Sequence, residues 1–152
     1  MEILQRALRD RGSRLTPQRL AIYEYLKDVK THPAAETIYT NLKDRYPSLS
    51  LNTVYQTLQV LAETGLAQKL PVEGRVARYD GNAASHAHLV CLQCDRIWDI
   101  DADTQPAVAE IDRQVEKKGF KVVRDQVQVY GYCTDCQAGS EREPKEEGPR
   151  NG

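Results

Sequence analysis

Between Asp80 and Asp99 the chain places His86, His88, Cys91 and Cys94, so two imidazoles and two thiols share twenty positions with two well-placed carboxylates at their ends. Side chains of these types gather so tightly for few reasons other than metal. A Cys-x-x-Cys pair bites one edge of an ion, and a second pair, Cys133 and Cys136, can fill the opposite edge. Four thiolates close a tetrahedral cage around zinc and leave no position open. Between the inner cysteines lie 38 residues, more than in a compact zinc ribbon, so the intervening loop must carry structure of its own. The competing reading, two separate redox dithiols, lacks the strand and helix context that such motifs occupy.

The histidines suit a different ion. Only three are present, His32, His86 and His88. On a strand, residues two apart share a face, so His86 and His88 can reach one metal together. Asp80 and Asp99 add oxygen, and mixed nitrogen and oxygen donors favour Fe(II) or Mn(II). The alternative is a set of polar residues at a surface or hinge. Taken alone, His32 before Pro33 reads as a turn residue. Catalysis is not expected. The His-x-Glu and Pro-Cys-x-x-Cys of zinc deaminases are absent, as are His-Glu-x-x-His, Gly-x-Ser-x-Gly and a phosphate loop. No small organic substrate is expected either.

These residues need elements to hold them. Ile3, Leu4, Ala7 and Leu8 make one face of a helix that Gly12 ends. Thr16 and Pro17 are a helix start, with Leu20, Ile22, Tyr23 and Leu26 as its buried side and an end near Val29. Pro33 can open a third helix carrying Ala34, Ala35, Ile38, Tyr39 and Leu42. Ser50 to Thr64 is a fourth, with Leu51, Val54, Leu58, Leu61 and Ala62 inward. Its other face carries Asn52, Thr53, Gln56, Thr57 and Gln59, uncharged side chains that suit base edges or plain solvent equally well.

Residues 66–70 and 75–79 read as two short strands around Glu73-Gly74. Helices followed by such a ribbon predict a winged helix-turn-helix whose last helix enters the major groove. Lys69, Arg75 and Arg78 on the ribbon would reach phosphates. Beyond the metal-rich stretch, 89–90 and 96–100 predict strands flanking the Cys91/Cys94 knuckle. Pro106 to Lys118 is an amphipathic helix with Val108, Ile111 and Val115 on one face, and 121–123 and 126–130 alternate as strands. The fold class is therefore α+β. A winged helix-turn-helix over 1–79 precedes an α/β domain over 80–137 that carries the four-cysteine site. Residues 80–85 are a hinge, and 138–152, rich in Ser, Glu, Lys, Pro and Gly, form a disordered tail.

Charge follows the same division. Residues 1–79 hold 12 Lys/Arg against 8 Asp/Glu, and residues 80–152 hold 9 against 14, so a net of +4 precedes a net of −5. A positive front half fits a polyanionic partner, although chance asymmetry on a solvated surface would look alike. No run of about 18 apolar residues offers a membrane span. The first residues have no apolar signal core, which makes the cytoplasm, where thiols stay reduced, the expected compartment.

At these residues the sequence resembles the ferric uptake regulator family of metal-dependent repressors over about residues 2–137. The likeness rests on Leu15-Thr-Pro-Gln-Arg19, His32-Pro33, Asn52-Thr-Val-Tyr55, Arg78-Tyr-Asp80, His86-Ala-His88 and both cysteine pairs. It implies a homodimer on double-stranded operator DNA, with one structural Zn2+ and one regulatory Fe2+ or Mn2+ per subunit. It implies that His32, Asp80, His86, His88 and Asp99 form the regulatory site. Asp99, where iron-uptake sensors have Glu, implies the peroxide-sensing branch, in which His32 or His86 becomes oxidised. The resemblance also sends Arg14 into the minor groove. Arg14, Arg19, Asn52, Thr53, Tyr55 and Gln56 are the expected DNA contacts. An extra site that some members build with a later histidine is not implied, because no histidine follows His88. Nor does the operator sequence carry over, since relatives vary at Gln56. Two other readings stand beside this one: an iron- or zinc-responsive uptake regulator of the same family, and a zinc-stabilised interaction module that binds no DNA.

Overall fold

The computed structural model describes residues 1–72, 74–100 and 103–139, which fall into two compact units, Met1–Ser85 and His86 onward. Glu73 in the expected ribbon turn and residues 140–152 of the expected tail lie outside the described residues. The division falls at the far end of the expected hinge, so Asp80 belongs with the first unit.

The first unit runs α1 (Glu2–Asp10), α2 (Pro17–Asp28), α3 (Ala35–Leu42), α4 (Leu51–Glu63), β1 (Gln68–Leu70) and β2 (Arg78–Asp80). Side-chain caps start two of the helices. Thr16 Oγ1 accepts the Arg19 N–H at 3.3 Å, and Ser50 Oγ accepts the Thr53 N–H at 3.0 Å. Gly65, at φ +69°, ends α4 by letting the Leu66 N–H reach back to the Leu61 carbonyl at 2.8 Å. Leu4, Leu8, Ile22, Leu26, Ile38, Val54, Leu58 and Leu61 are fully buried in one core. Each such side chain contributes roughly 1.5–3 kcal/mol on leaving water. β1 and β2 pair antiparallel with Gln68 opposite Asp80, and Leu70 at the end of β1 is fully buried.

Several local expectations change here. Ile3 is exposed and leaves Leu4, Ala7 and Leu8 as the inward face of α1. Pro33 does not open α3. Its carbonyl accepts the Tyr79 N–H at 3.0 Å, which holds the chain extended until Ala34. Thr57 turns inward and is fully buried, its hydroxyl donating to the Thr53 carbonyl at 2.7 Å, so it leaves the reading face of α4. The ribbon strands are shorter than expected, because Leu66 and Ala67 are used in closing α4. Arg78 is half-buried, and its Nε donates to the His32 carbonyl at 2.6 Å, a brace inside the unit.

The second unit runs β3 (Ala87–Cys91), β4 (Ile97–Ile100), α5 (Gln105–Glu116), β5 (Val127–Gly131) and the short α6 (Thr134–Ala138). The strand order is β4-β3-β5, with β4 antiparallel and β5 parallel to β3. Among the described residues its buried apolar side chains are few: Ala87, Val90, Cys91, Ile97 and Val108. Residues 121–123 make no strand. Val123 is 90% exposed, and β5 begins only at Val127. On α5 only Val108 is buried, and Ile111 is 60% exposed. Helix α6 was not expected; it follows Cys133 directly and ends where the tail was expected to begin.

Candidate metal centres

The four cysteines meet within the second unit. Cys91 ends β3, Cys94 lies in the turn before β4, Cys133 precedes α6 and Cys136 sits inside it. Their sulfurs all lie within 4.8 Å of one another. Cys94 Sγ and Cys133 Sγ are 3.8 Å apart, far beyond a disulfide bond of about 2.05 Å. A tetrahedron with Zn–S bonds of about 2.3 Å has edges near 3.8 Å, so this spacing is that of two thiolates on one ion. The turn is built for the purpose. Asp95 adopts a left-handed backbone at φ +61°, and the Cys91 N–H bonds back to the Arg96 carbonyl at 3.0 Å. β5, by pairing with β3, carries the second cysteine pair to the first. The Leu92 N–H donates to the Gly131 carbonyl at 2.8 Å, two residues before Cys133.

The sulfurs differ in their surroundings. Burial pushes the Cys91 thiol up, but N–H groups of Cys133, Cys94 and Gln93 outweigh it and lower Cys91 to about 6. Cys94 is lowered chiefly by the Arg96 side chain. Cys136 is pushed up to about 12 by burial and by the neighbouring thiols of Cys133, Cys94 and Cys91. A cage with thiolates already favoured at two corners fits zinc, which binds only the deprotonated form.

The nitrogen and oxygen donors form two sets. In the first unit, His32 Nε2 stands 3.8 Å from Asp80 Oδ2, and both residues are buried. His32 holds a left-handed backbone at φ +49°, unusual for a residue other than glycine. The Arg78 brace on its carbonyl and the Pro33–Tyr79 bond maintain it. Asp80 closes β2, and its Oδ1 accepts the Asn82 N–H at 2.8 Å, leaving Oδ2 toward His32. Gly81 follows because nothing larger fits: a Cβ there would stand 2.3 Å from the Leu26 carbonyl oxygen.

In the second unit, the β3–β4 register sets His88 directly opposite Asp99. One carboxylate oxygen, Asp99 Oδ1, lies 3.1 Å from His86 Nε2 and 3.6 Å from His88 Nε2. The two imidazole centroids are 4.3 Å apart. Metal bonds of about 2.1 Å at right angles give donor spacings of roughly 3 Å, so three converging donors at these distances suit one face of a coordination sphere. His88 is buried, whereas Asp99 is partly open to solvent.

The expected DNA contacts all lie in the first unit. Arg14, Asn52, Tyr55 and Gln56 are exposed, and Arg19 and Thr53 are half-exposed. Arg19 Nη1 donates to the Arg14 carbonyl at 3.0 Å, tying the entry of α2 to the preceding loop. Thr53 is drawn into the cap of α4, its hydroxyl 2.8 Å from Ser50 Oγ. Tyr55 donates its phenol proton to Glu36 of α3, and this bond and the carboxylate charge raise the phenol above its usual range. The sequence reading passed over Glu36 and Arg96. Arg96 left a signal in its position two residues after Cys94, whereas Glu36 left none, since only the packing of α3 beside α4 pairs it with Tyr55.

Comparison with known proteins places this arrangement. The model of the ferric uptake regulator family matches residues 10–130. The chain is 36% identical over 132 residues to the peroxide-responsive repressor PerR of Staphylococcus aureus (strain USA300), covering 86% of this chain and 87% of that one. Among solved structures it resembles the Campylobacter jejuni peroxide stress regulator, with TM-score 0.65 and 35% identity over 79% of this chain and 89% of the other. The Helicobacter pylori ferric uptake regulator Fur shares the fold, with TM-score 0.70 at 24% identity over 90% and 92% of the two chains.

Proposed function

Because the chain belongs to the ferric uptake regulator family, we propose that it is a metal-dependent transcriptional repressor that binds operator DNA as a homodimer and releases it on meeting hydrogen peroxide. The observation that carries the peroxide reading is the single Asp99 oxygen shared by His86 and His88. An aspartate reaches both imidazoles there, where a glutamate would bring its carboxylate one methylene farther. Likeness to the PerR repressor and to the Campylobacter regulator supports the same branch.

In this reading Cys91, Cys94, Cys133 and Cys136 hold one structural Zn2+ per subunit in a reducing cytoplasm. His32 and Asp80 join His86, His88 and Asp99 around one Fe2+ or Mn2+. Bound ferrous iron would supply the electrons that cleave peroxide, and the ligand imidazole of His32 or His86 is the group oxidised. His32 couples ion binding to DNA because it comes from the DNA-binding unit. Its loss as a donor frees the two winged helices from the fixed half-site spacing that an operator demands. Tyr55 and Gln56 of α4 face the base edges, and Arg14 and Arg19 serve the backbone. Leu89, Val129 and Trp98, register neighbours exposed on one face of the second unit's sheet, are covered by the second copy. Among the described residues no helix is long and apolar enough to cross a membrane.

The test uses DNA fragments selected by the Mn(II)-loaded protein. Iron-loaded protein is mixed with such a fragment without oxygen and then given a peroxide pulse. DNA release, with one added oxygen on the His32 or His86 peptide, is the expected result. Release on iron removal but not on peroxide would instead make this an iron-responsive regulator, the second reading that the family allows. Failure to bind any fragment, with or without metal, would leave the interaction module.

A further inference from the structure

One guanidinium spans both cysteine pairs. Arg96 Nε donates to Cys94 Sγ at 3.3 Å, and its Nη2 donates to Cys133 Sγ at 3.6 Å. The same Nη2 bonds Asp135 Oδ2 at 2.5 Å, and the guanidinium lies 5.4 Å from the centroid of the Trp98 ring. Asp135 lies between the second pair of cysteines, and Trp98 is on β4 just beyond the first. The cation is therefore tethered from both sides, with its planar fork facing two sulfurs. Cys91 takes its donors from the backbone, the Cys133 N–H at 3.4 Å among them. The groups that push Cys136 up, besides burial, are the thiols of Cys133, Cys94 and Cys91.

We propose that Arg96 is a positioning residue that makes Cys94 and Cys133 poor nucleophiles, so that the zinc cage keeps its metal in the presence of oxidants. Four thiolates carry more negative charge than one zinc ion neutralises, and the excess sits on the sulfur lone pairs. An ionised N–H donor at these sulfurs withdraws that density and leaves the lone pairs less able to attack an electrophile. Without it, a cage thiolate attacks hydrogen peroxide readily. An S–O bond forms as the O–O bond breaks, hydroxide leaves, and the sulfur is oxidised by two electrons to a sulfenic acid. A sulfenic acid no longer holds zinc. The inference rests on the zinc reading of the four cysteines, and does not need the peroxide reading of the histidine site.

The experiment uses full-length, zinc-loaded, iron-free protein, with zinc release under hydrogen peroxide followed by a chromogenic chelator. Arg96→Gln should release zinc about tenfold faster than wild type, the usual scale for losing a partner behind a metal ligand. Arg96→Lys should recover part of this, since an ammonium keeps the charge but not the fork or the ring contact. Brief alkylation of the zinc-loaded proteins adds a site-resolved readout. In wild type the label should favour Cys136, and in Arg96→Gln it should shift to Cys94 and Cys133. A general loosening of the fold would expose all four sulfurs alike. With cobalt in place of zinc, the sulfur-to-metal charge-transfer band should move to lower energy in Arg96→Gln. If Arg96→Gln does not fold, Asp135→Asn removes only the tether and should shift label and band the same way by less. Unchanged release, label ratio and band overturn the inference. Wild-type protein that takes up no zinc overturns the zinc reading and this inference with it.

Discussion

In the first unit, four helices turn Leu8, Ile22, Leu26, Ile38, Leu58 and Leu61 toward one another, and Tyr79 of the ribbon joins that core. In the second, a three-stranded sheet and one amphipathic helix bury little beyond Ala87, Val90, Ile97 and Val108. Trp98, Ile111, Phe120, Val129 and Tyr132 stay exposed there. One unit is held by an apolar core of its own. Among the described residues the other buries little apolar surface, and in the proposed reading metal and a second copy supply the stabilisation that its core does not. In the proposed reading, the unit that meets DNA keeps its shape unaided while the other depends on what it binds.

The largest expected effect is zinc removal. A structural zinc contributes on the order of 10 kcal/mol to the folding of small metal domains. Chelated protein, or Cys133→Ser, should therefore lose the β3–β5 sheet and the dimer while α1 to α4 stay folded. Hydrogen exchange resolved by peptide, with sedimentation for the dimer, checks this. Equal loss of protection in both units would mean that the first unit is not self-sufficient.

A cavity in the other unit should act in mirror image. Leu58→Ala removes a fully buried side chain from α4. It should cost about 2–5 kcal/mol in denaturant unfolding of the first unit and leave zinc content unchanged. Zinc loss in this variant would contradict independent stabilisation.

The third effect joins the units. His32→Ala should keep zinc and dimer but lose metal-stimulated DNA binding, a coupling of about 1–3 kcal/mol that titration of DNA with and without Mn(II) measures directly. Asp99→Glu is the finer variant, expected to retain repression by iron while histidine oxidation slows. Wild-type oxidation in Asp99→Glu would move the chain to the iron-responsive reading.

The smallest effect belongs to the DNA surface. Arg14→Ala or Arg19→Ala should each flatten the plot of log binding constant against log salt by about 0.9, one counterion fewer released. An unchanged slope in both variants removes them from the interface.

Much was legible in the sequence because it is local. Thr16-Pro17 and Ser50 start helices through bonds to their own first turns, and the periodicity of α2 and α4 follows from residues one turn apart. The two Cys-x-x-Cys pairs announce a metal because each bites an ion within four residues. What the sequence could not show depends on distant partners. Lys121-Val-Val alternates like a strand yet pairs with no strand among the described residues, and Ile111 follows helical spacing but stays 60% exposed. Thr57 reads as polar surface until α4 docks and buries it. The meeting of His88 with Asp99 needed the register of β3 on β4, and the parallel pairing of β5 brought Cys133 to Cys94. Residue types and short spacings determined which ions this protein can hold. Tertiary pairing decided which donors face one another, because distances between residues far apart in the chain are set only by packing and sheet register.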